Sequence, residues 1–333
     1  FSIDHGWIPP AVRAALGFLA GAGLIVGGLV SIRRAFATAG QTLVATGVVV
    51  LYAVTVACRH YYRFEFFSDA STAGTLASGG LLCLITAAAF LLAIRLNAQV
   101  VALLGLLGGF LTPVLLSTGV DNPPGLFGFI ALLDLCLLAV ALHRRWDYLA
   151  TLAALGTAIM QVGWACEFFT AAKLPTAVAV LVGFNVLFTL AVVVARRLGR
   201  ASDWLAGAAL LPPVIALGFS LFFSLHSAVA LRASWVLGNL LLADLALLAV
   251  CALHRPLARA SLGAGLATFA VAAVWIGAAV DHSLLPWALG FVVVVAALHA
   301  GFPFVQERLE PGLDARRWSA LFPPLGLILL LIP

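Results

Sequence analysis

The chain is short of charge. Only 9% of its 333 residues are Asp, Glu, Lys or Arg, while 64% are hydrophobic and the mean hydropathy is +1.15. So few polar residues cannot cover a water-soluble globule of this length, which excludes a pair of soluble domains and makes lipid the solvent. Cysteine is also scarce. Cys58, Cys83, Cys136, Cys166 and Cys251 all lie within or at the ends of apolar runs, and no two form a C-x-x-C. That leaves no support for a disulfide framework or a thiolate zinc site. The seven histidines supply no H-E-x-x-H and no i, i+4 pair, so no single helix builds a metal site, and no cofactor is called for. A Gly-x-Ser-x-Gly elbow is missing, which removes the main signature of a hydrolase nucleophile.

What is present is a series of apolar runs, each long enough to cross ~30 Å of hydrocarbon. Twelve spans are expected, at about 11–31, 38–58, 71–94, 98–117, 125–142, 148–169, 175–195, 204–225, 235–253, 258–280, 284–304 and 318–333. Residue 1 is Phe and the last run stops at Pro333, so the sequence reads as a segment of a longer chain forming a single membrane domain. The net charge of +5 comes from short arginine clusters between the runs, which is membrane topology and not a nucleic-acid surface. Thirteen of the 18 basic residues follow odd-numbered spans, in clusters such as Arg33-Arg34, Arg144-Arg145 and Arg196-Arg197. The opposite side has Arg13, Arg59, Arg63, Lys173 and Arg232, together with Glu65, Asp69, Asp121 and Asp281. The positive-inside rule then puts residues 1–10 outside and the arginine loops in the cytoplasm.

Internal similarity suggests a repeat. "LLDLCLLAVALHRRW" at 132–146 matches "LLADLALLAVCALHRPL" at 241–257, pairing Asp134 with Asp244 and His143-Arg144 with His254-Arg255. "LLPPVIALG" at 210–218 matches "LFPPLGLIL" at 321–329 at a similar shift, and "LTPVLLSTG" at 111–119 matches the first of these. Three four-helix units follow, about 11–117, 125–225 and 235–333, and an even number of spans per unit makes them parallel. Proline recurs in the fourth span of each. Pro113, Pro212 and Pro213 lack amide hydrogens and withdraw the helical donors from the carbonyls of Gly109, Ala208 and Ala209. Those carbonyls must face protein, water or a hydroxyl such as that of Thr112. Gly105, Gly108 and Gly109 share one face, where a neighbouring backbone would fit closely. Either this is a packing kink or it is a discontinuous helix that binds an ion or substrate.

The stretch "LLGLLGGFLTPVLLSTG", with "HGWIPPAVRAALG", "HRRW" and "VGWACEFF", resembles the bacterial multi-spanning proteins of the domain-of-unknown-function family 2339. The likeness is good over residues 1 to about 170 and mainly hydropathic beyond. Members are usually longer, with a cytoplasmic, often coiled-coil, N-terminal region. The resemblance implies a bacterial inner-membrane location and lends no activity.

Three sets of residues remain as candidates for chemistry. Asp134 and Asp244 lie near the middle of spans at equivalent repeat positions, and Asn185 lies mid-span in the seventh. Such carboxylates cost ~2.5–3.5 kcal/mol to insert, so they are protonated, paired or hydrated. They form either a proton or cation relay or a set of interhelical hydrogen bonds. Glu65 and Asp69, in the aromatic-rich loop 58–71, are either an acid and base of a polytopic envelope enzyme or charges in an aromatic belt. The arginine clusters suit anionic headgroups or an acidic partner, although topology alone explains them. The expected protein is therefore an all-α transmembrane bundle whose partners are the bilayer and other membrane proteins. A scaffold or accessory subunit of a membrane complex leads, because no motif demands chemistry. A transporter or lipid translocator using the intramembrane acids is the alternative, and an envelope carbohydrate or lipid enzyme the third.

Overall fold

In hydrocarbon every backbone amide and carbonyl needs a partner from its own chain, so an apolar run of spanning length has little choice but to be a helix. A computed structural model describes residues 9–309 apart from 63, 65–71, 116 and 118, and the runs there are helical. The elements are α1 (Pro10–Arg33), α2 (Ala37–His60), α3 (Thr72–Leu96), α4 (Gln99–Leu115), α5 (Pro123–Arg144), α6 (Tyr148–Phe168), α7 (Leu174–Arg197), α8 (Asp203–Leu225), the single turn α9 (Ser227–Ala230), α10 (Ala233–Leu253), α11 (Ala260–Ala279) and α12 (Leu285–Leu309). Ten are long and apolar enough to span a membrane, while α4, with 17 residues, falls short. Eleven of the twelve expected spans thus correspond to helices. The run at 318–333 lies outside the described residues.

The chain divides into two compact units, residues 1–140 and 141–333, with α5 ending just inside the second. In the first unit α1 packs on α2, and α2, α3 and α4 pack on one another. Only Ala14, Gly21 and Gly28 are buried on α1. A Cβ on Gly28 would stand 2.6 Å from the carbonyl oxygen of Gly40, and one on Gly47 would stand 2.7 Å from that of Gly21. Heptad-spaced glycines on both helices therefore bring two backbones together. Without a hydrophobic drive between helices in lipid, such close packing is what holds a hairpin. Polar ties add to it: Gln41 Nε2 donates to the Leu96 carbonyl at 3.1 Å, and Arg59 Nη1 to Ser78 Oγ at 2.7 Å.

In the second unit α8 is the central helix, packed on α6, α7, α10 and α11, while α10 also meets α7, α11 and α12. Ser202 caps α8 by accepting from the Leu205 amide at 3.3 Å. At the other end of α7, Arg196 Nη1 donates to the carbonyl of Leu253 at 3.0 Å and reaches that of Ala252 at 3.4 Å. A cation placed on the last carbonyls of α10 complements the negative end of that helix.

Candidate functional site

The polar core of the second unit starts with Asp244. Along α10 the sequence alternates too little between polar and apolar to show a face, and ten other positions besides Asp244 are buried. Asp244 has no solvent exposure. Its Oδ1 accepts from Thr268 Oγ1 of α11 at 2.9 Å. Its two oxygens also lie 3.0 and 3.1 Å from Nε2 of His299 on α12. Thr268 is fully buried and His299 is 5% exposed. One carboxylate thus ties three consecutive helices at a single depth. Thr268 and Asp244 each lie eleven residues, about 16 Å at 1.5 Å per residue, from the helix ends on the same side of the unit.

This arrangement can hold a proton. A carboxylate and an imidazole in contact, both out of water, carry one between them, either as acid and base or as an ion pair, and the hydroxyl of Thr268 stabilises the anionic form by donating to it. His299 escaped sequence reasoning, which weighed the histidines only as metal ligands. Its signal was nonetheless present: a lone histidine inside an otherwise apolar run, "VVVVAALHAGF", is costly unless paired.

A second polar contact lies nearer one end of the same unit. Asn239 Nδ2 donates to Ser220 Oγ at 2.8 Å and to the Ala216 carbonyl at 3.1 Å, joining α10 to α8. Asn185, on α7, is 3% exposed, and neither its amide oxygen nor its nitrogen has a hydrogen-bond partner among the described protein atoms. The same holds for Nε2 of Gln161 on α6, which is 2% exposed. Asp134 is fully buried on α5. Asp134 and Asp244 belong to different units, and Asn185 is not a partner of Asp244. Glu65 and Asp69 lie outside the described residues.

The proline sites differ from one another. Pro212 and Pro213 sit inside α8, buried, with Ala208 and Ala209 buried one turn before them. Pro113 sits two residues before Leu115, in the last described turn of α4. Thr112 is buried and its hydroxyl donates to the carbonyl of Gly108 at 2.7 Å, one residue before the carbonyl that Pro113 deprives. The glycines of α4 admit side chains and not a backbone. Gly108 lies against the ring of Tyr52 on α2, Gly105 faces Ala89 and Phe90 on α3, and a Cβ on Gly109 would stand 2.8 Å from Leu133 of α5.

Ten spanning helices without a strand among the described residues, with a carboxylate and an imidazole closed into the core, define a polytopic helical membrane protein. The chain belongs to the family described as predicted membrane protein (DUF2339), which matches residues 1–331. No curated protein and no solved structure matches it.

Proposed function

We propose that the second unit is the core of a proton-linked membrane transporter in which Asp244 and His299 hold the exchangeable proton. The observation that carries this reading is the Asp244–His299–Thr268 cluster, with its carboxylate wholly out of water. Burying an acid mid-membrane is expensive, and acids so placed mark ion pathways in pumps and carriers. The Asp244–His299 pair would take up a proton from water on one side when the helices part towards it and give that proton up to water on the other side when they part the opposite way, with Thr268 donating to the carboxylate while it is an anion. A parallel repeat, which the matched stretches around Asp134 and Asp244 suggest, would suit a carrier architecture. Thr157 follows Asp134 by 23 residues much as Thr268 follows Asp244, while Thr189 stands where the spacing of His299 would put a second histidine. Only one copy would then carry the imidazole. The location that fits is the bacterial inner membrane, with the arginine loops on the cytoplasmic side.

The test is proton flux into proteoliposomes loaded with a pH-sensitive dye, after an acid step. The wild type should acidify the lumen, Asp244→Asn should not, and His299→Gln should be slower. Equal flux in all three, with the variants folded, would leave the cluster as a structural tie and favour the scaffold reading, which predicts partner proteins co-purifying with each variant alike.

A further inference from the structure

The seam between α10 and α12 of the second unit is open along its length. At one end Arg232, Ser234, Trp235, Leu284 and Trp287 surround a mouth of about 390 Å³. Ser234 and Trp287 also line a groove of about 440 Å³ that continues between Leu237, Gly238, Gly290 and Phe291. Val294 closes that groove and opens the next, of about 590 Å³, which runs past Leu245, Leu298 and Gly301 to Val305. From Ser234 to Ala252 the seam is ~27 Å long at 1.5 Å per residue, close to the thickness of the hydrocarbon. Glycines keep it open: a Cβ on Gly238, Gly290 or Gly301 would have nothing within 4 Å.

The chemistry changes along the seam in the order a lipid requires. Its floor and walls are apolar, whereas its mouth combines a guanidinium, a hydroxyl and two half-exposed tryptophans, Trp235 at 40% and Trp287 at 51%. Tryptophans at such a level mark the headgroup boundary. Arg232 spends one donor on the carbonyl of Ala171, at 3.0 Å, which fixes the guanidinium at the mouth and leaves further N–H groups for an anion. Arginine suits phosphate because its planar fork donates two bonds at once.

We infer that the α10–α12 seam binds one phospholipid, its phosphate on Arg232 and one acyl chain between Gly238 and Gly290. The site is separate from the proton reading, since neither Asp244 nor His299 lines the groove.

The experiment is native mass spectrometry of the full chain released from micelles containing phosphatidylglycerol, with diacylglycerol of the same chains as the phosphate-free probe. The wild type should retain one phosphatidylglycerol and no diacylglycerol. Arg232→Ala should weaken retention about fivefold, as expected for one basic residue at a headgroup. Gly290→Leu, which places its side chain in open space and so preserves the fold, should abolish it. Asp244→Asn should retain lipid as the wild type does. A photoreactive phospholipid should label residues 286–294. Labelling spread over all lipid-facing helices, which is annular lipid only, would overturn the site. So would equal retention of diacylglycerol, wild-type retention in Gly290→Leu, or lipid loss confined to Asp244→Asn. Crosslinks from position 290 to another protein chain would do so too.

Discussion

Removing the imidazole of His299 tests whether the carboxylate beneath it is held by charge or only by hydrogen bonds. In His299→Leu, Asp244 keeps the hydroxyl of Thr268 at 2.9 Å and loses Nε2, which lies 3.0 and 3.1 Å from its two oxygens. Because one ring nitrogen makes both contacts, they count as one interaction. An interhelical hydrogen bond in a membrane contributes ~0.6 kcal/mol on average and at most ~1.7. Breaking a buried ion pair by deleting one partner costs ~3–5 kcal/mol, because the other charge is stranded. With Asp244 wholly out of water, we expect the upper range, about 3 kcal/mol, for His299→Leu. The double variant Asp244→Leu/His299→Leu should then cost at least ~1 kcal/mol less than the sum of its parts, since no charge remains to be stranded. Thr268→Val should cost only ~0.6–1.7 kcal/mol. Reversible unfolding of the detergent-solubilised chain, run as a double-mutant cycle, measures all of these. A coupling below ~0.5 kcal/mol, with both single variants near neutral, would refute the idea that the pair is energetically linked.

Other consequences can be checked separately. Gly47→Leu drives a side chain into the carbonyl of Gly21 and should destabilise the α1–α2 hairpin by ~1–3 kcal/mol, whereas Gly23→Ala, with open space at its Cβ, should be neutral in the same melting assay. Pro113→Ala restores a donor only in the last turn of α4 and should shift stability by less than ~1 kcal/mol, well under the ~3 kcal/mol of a mid-helix proline; a larger shift would show that the break orders its surroundings. A cysteine at position 282 should react with an impermeant thiol reagent on intact cells and one at position 201 only after permeabilisation, and the reverse pattern would invert the topology. The Ser283 hydroxyl and then the Leu284 amide hold the Asp281 carboxylate below its usual value of 3.8, so its capping contribution is complete above that pH and fades as the pH falls below it; the gap in Tm between wild type and Asp281→Asn should close on acidification.

The helices were legible because lipid leaves one solution to the backbone, and run length alone then fixes each element to within a few residues. The expected span at 98–117 is helical over Gln99–Leu115 among the described residues, and Pro113 lies inside that helix. The partners of the helices were less legible. Heptad-spaced glycines at 21 and 28 and at 40 and 47 carried the close approach of α1 and α2, yet attention falls first on the denser Gly105, Gly108 and Gly109. Those three meet Phe90, Tyr52 and Leu133 from three different helices, a pattern that no one-dimensional spacing encodes.

The site itself was half legible, for a physical reason. Asp134 and Asp244 stand out in any apolar run because a carboxylate is costly wherever it points, and both are fully buried. Whether such an acid is a tie or a relay depends on its partner, and the partner of Asp244 lies 55 residues further along the chain. Histidine is the one basic side chain that can be neutral or charged near neutral pH, so it can neutralise a buried acid and still give the proton back. An arginine at position 299 would have held the carboxylate permanently as an anion, and a leucine would have left it without a charged partner. A histidine at position 299 is therefore the residue type that the proposed proton site requires and that a static tie between α10 and α12 does not.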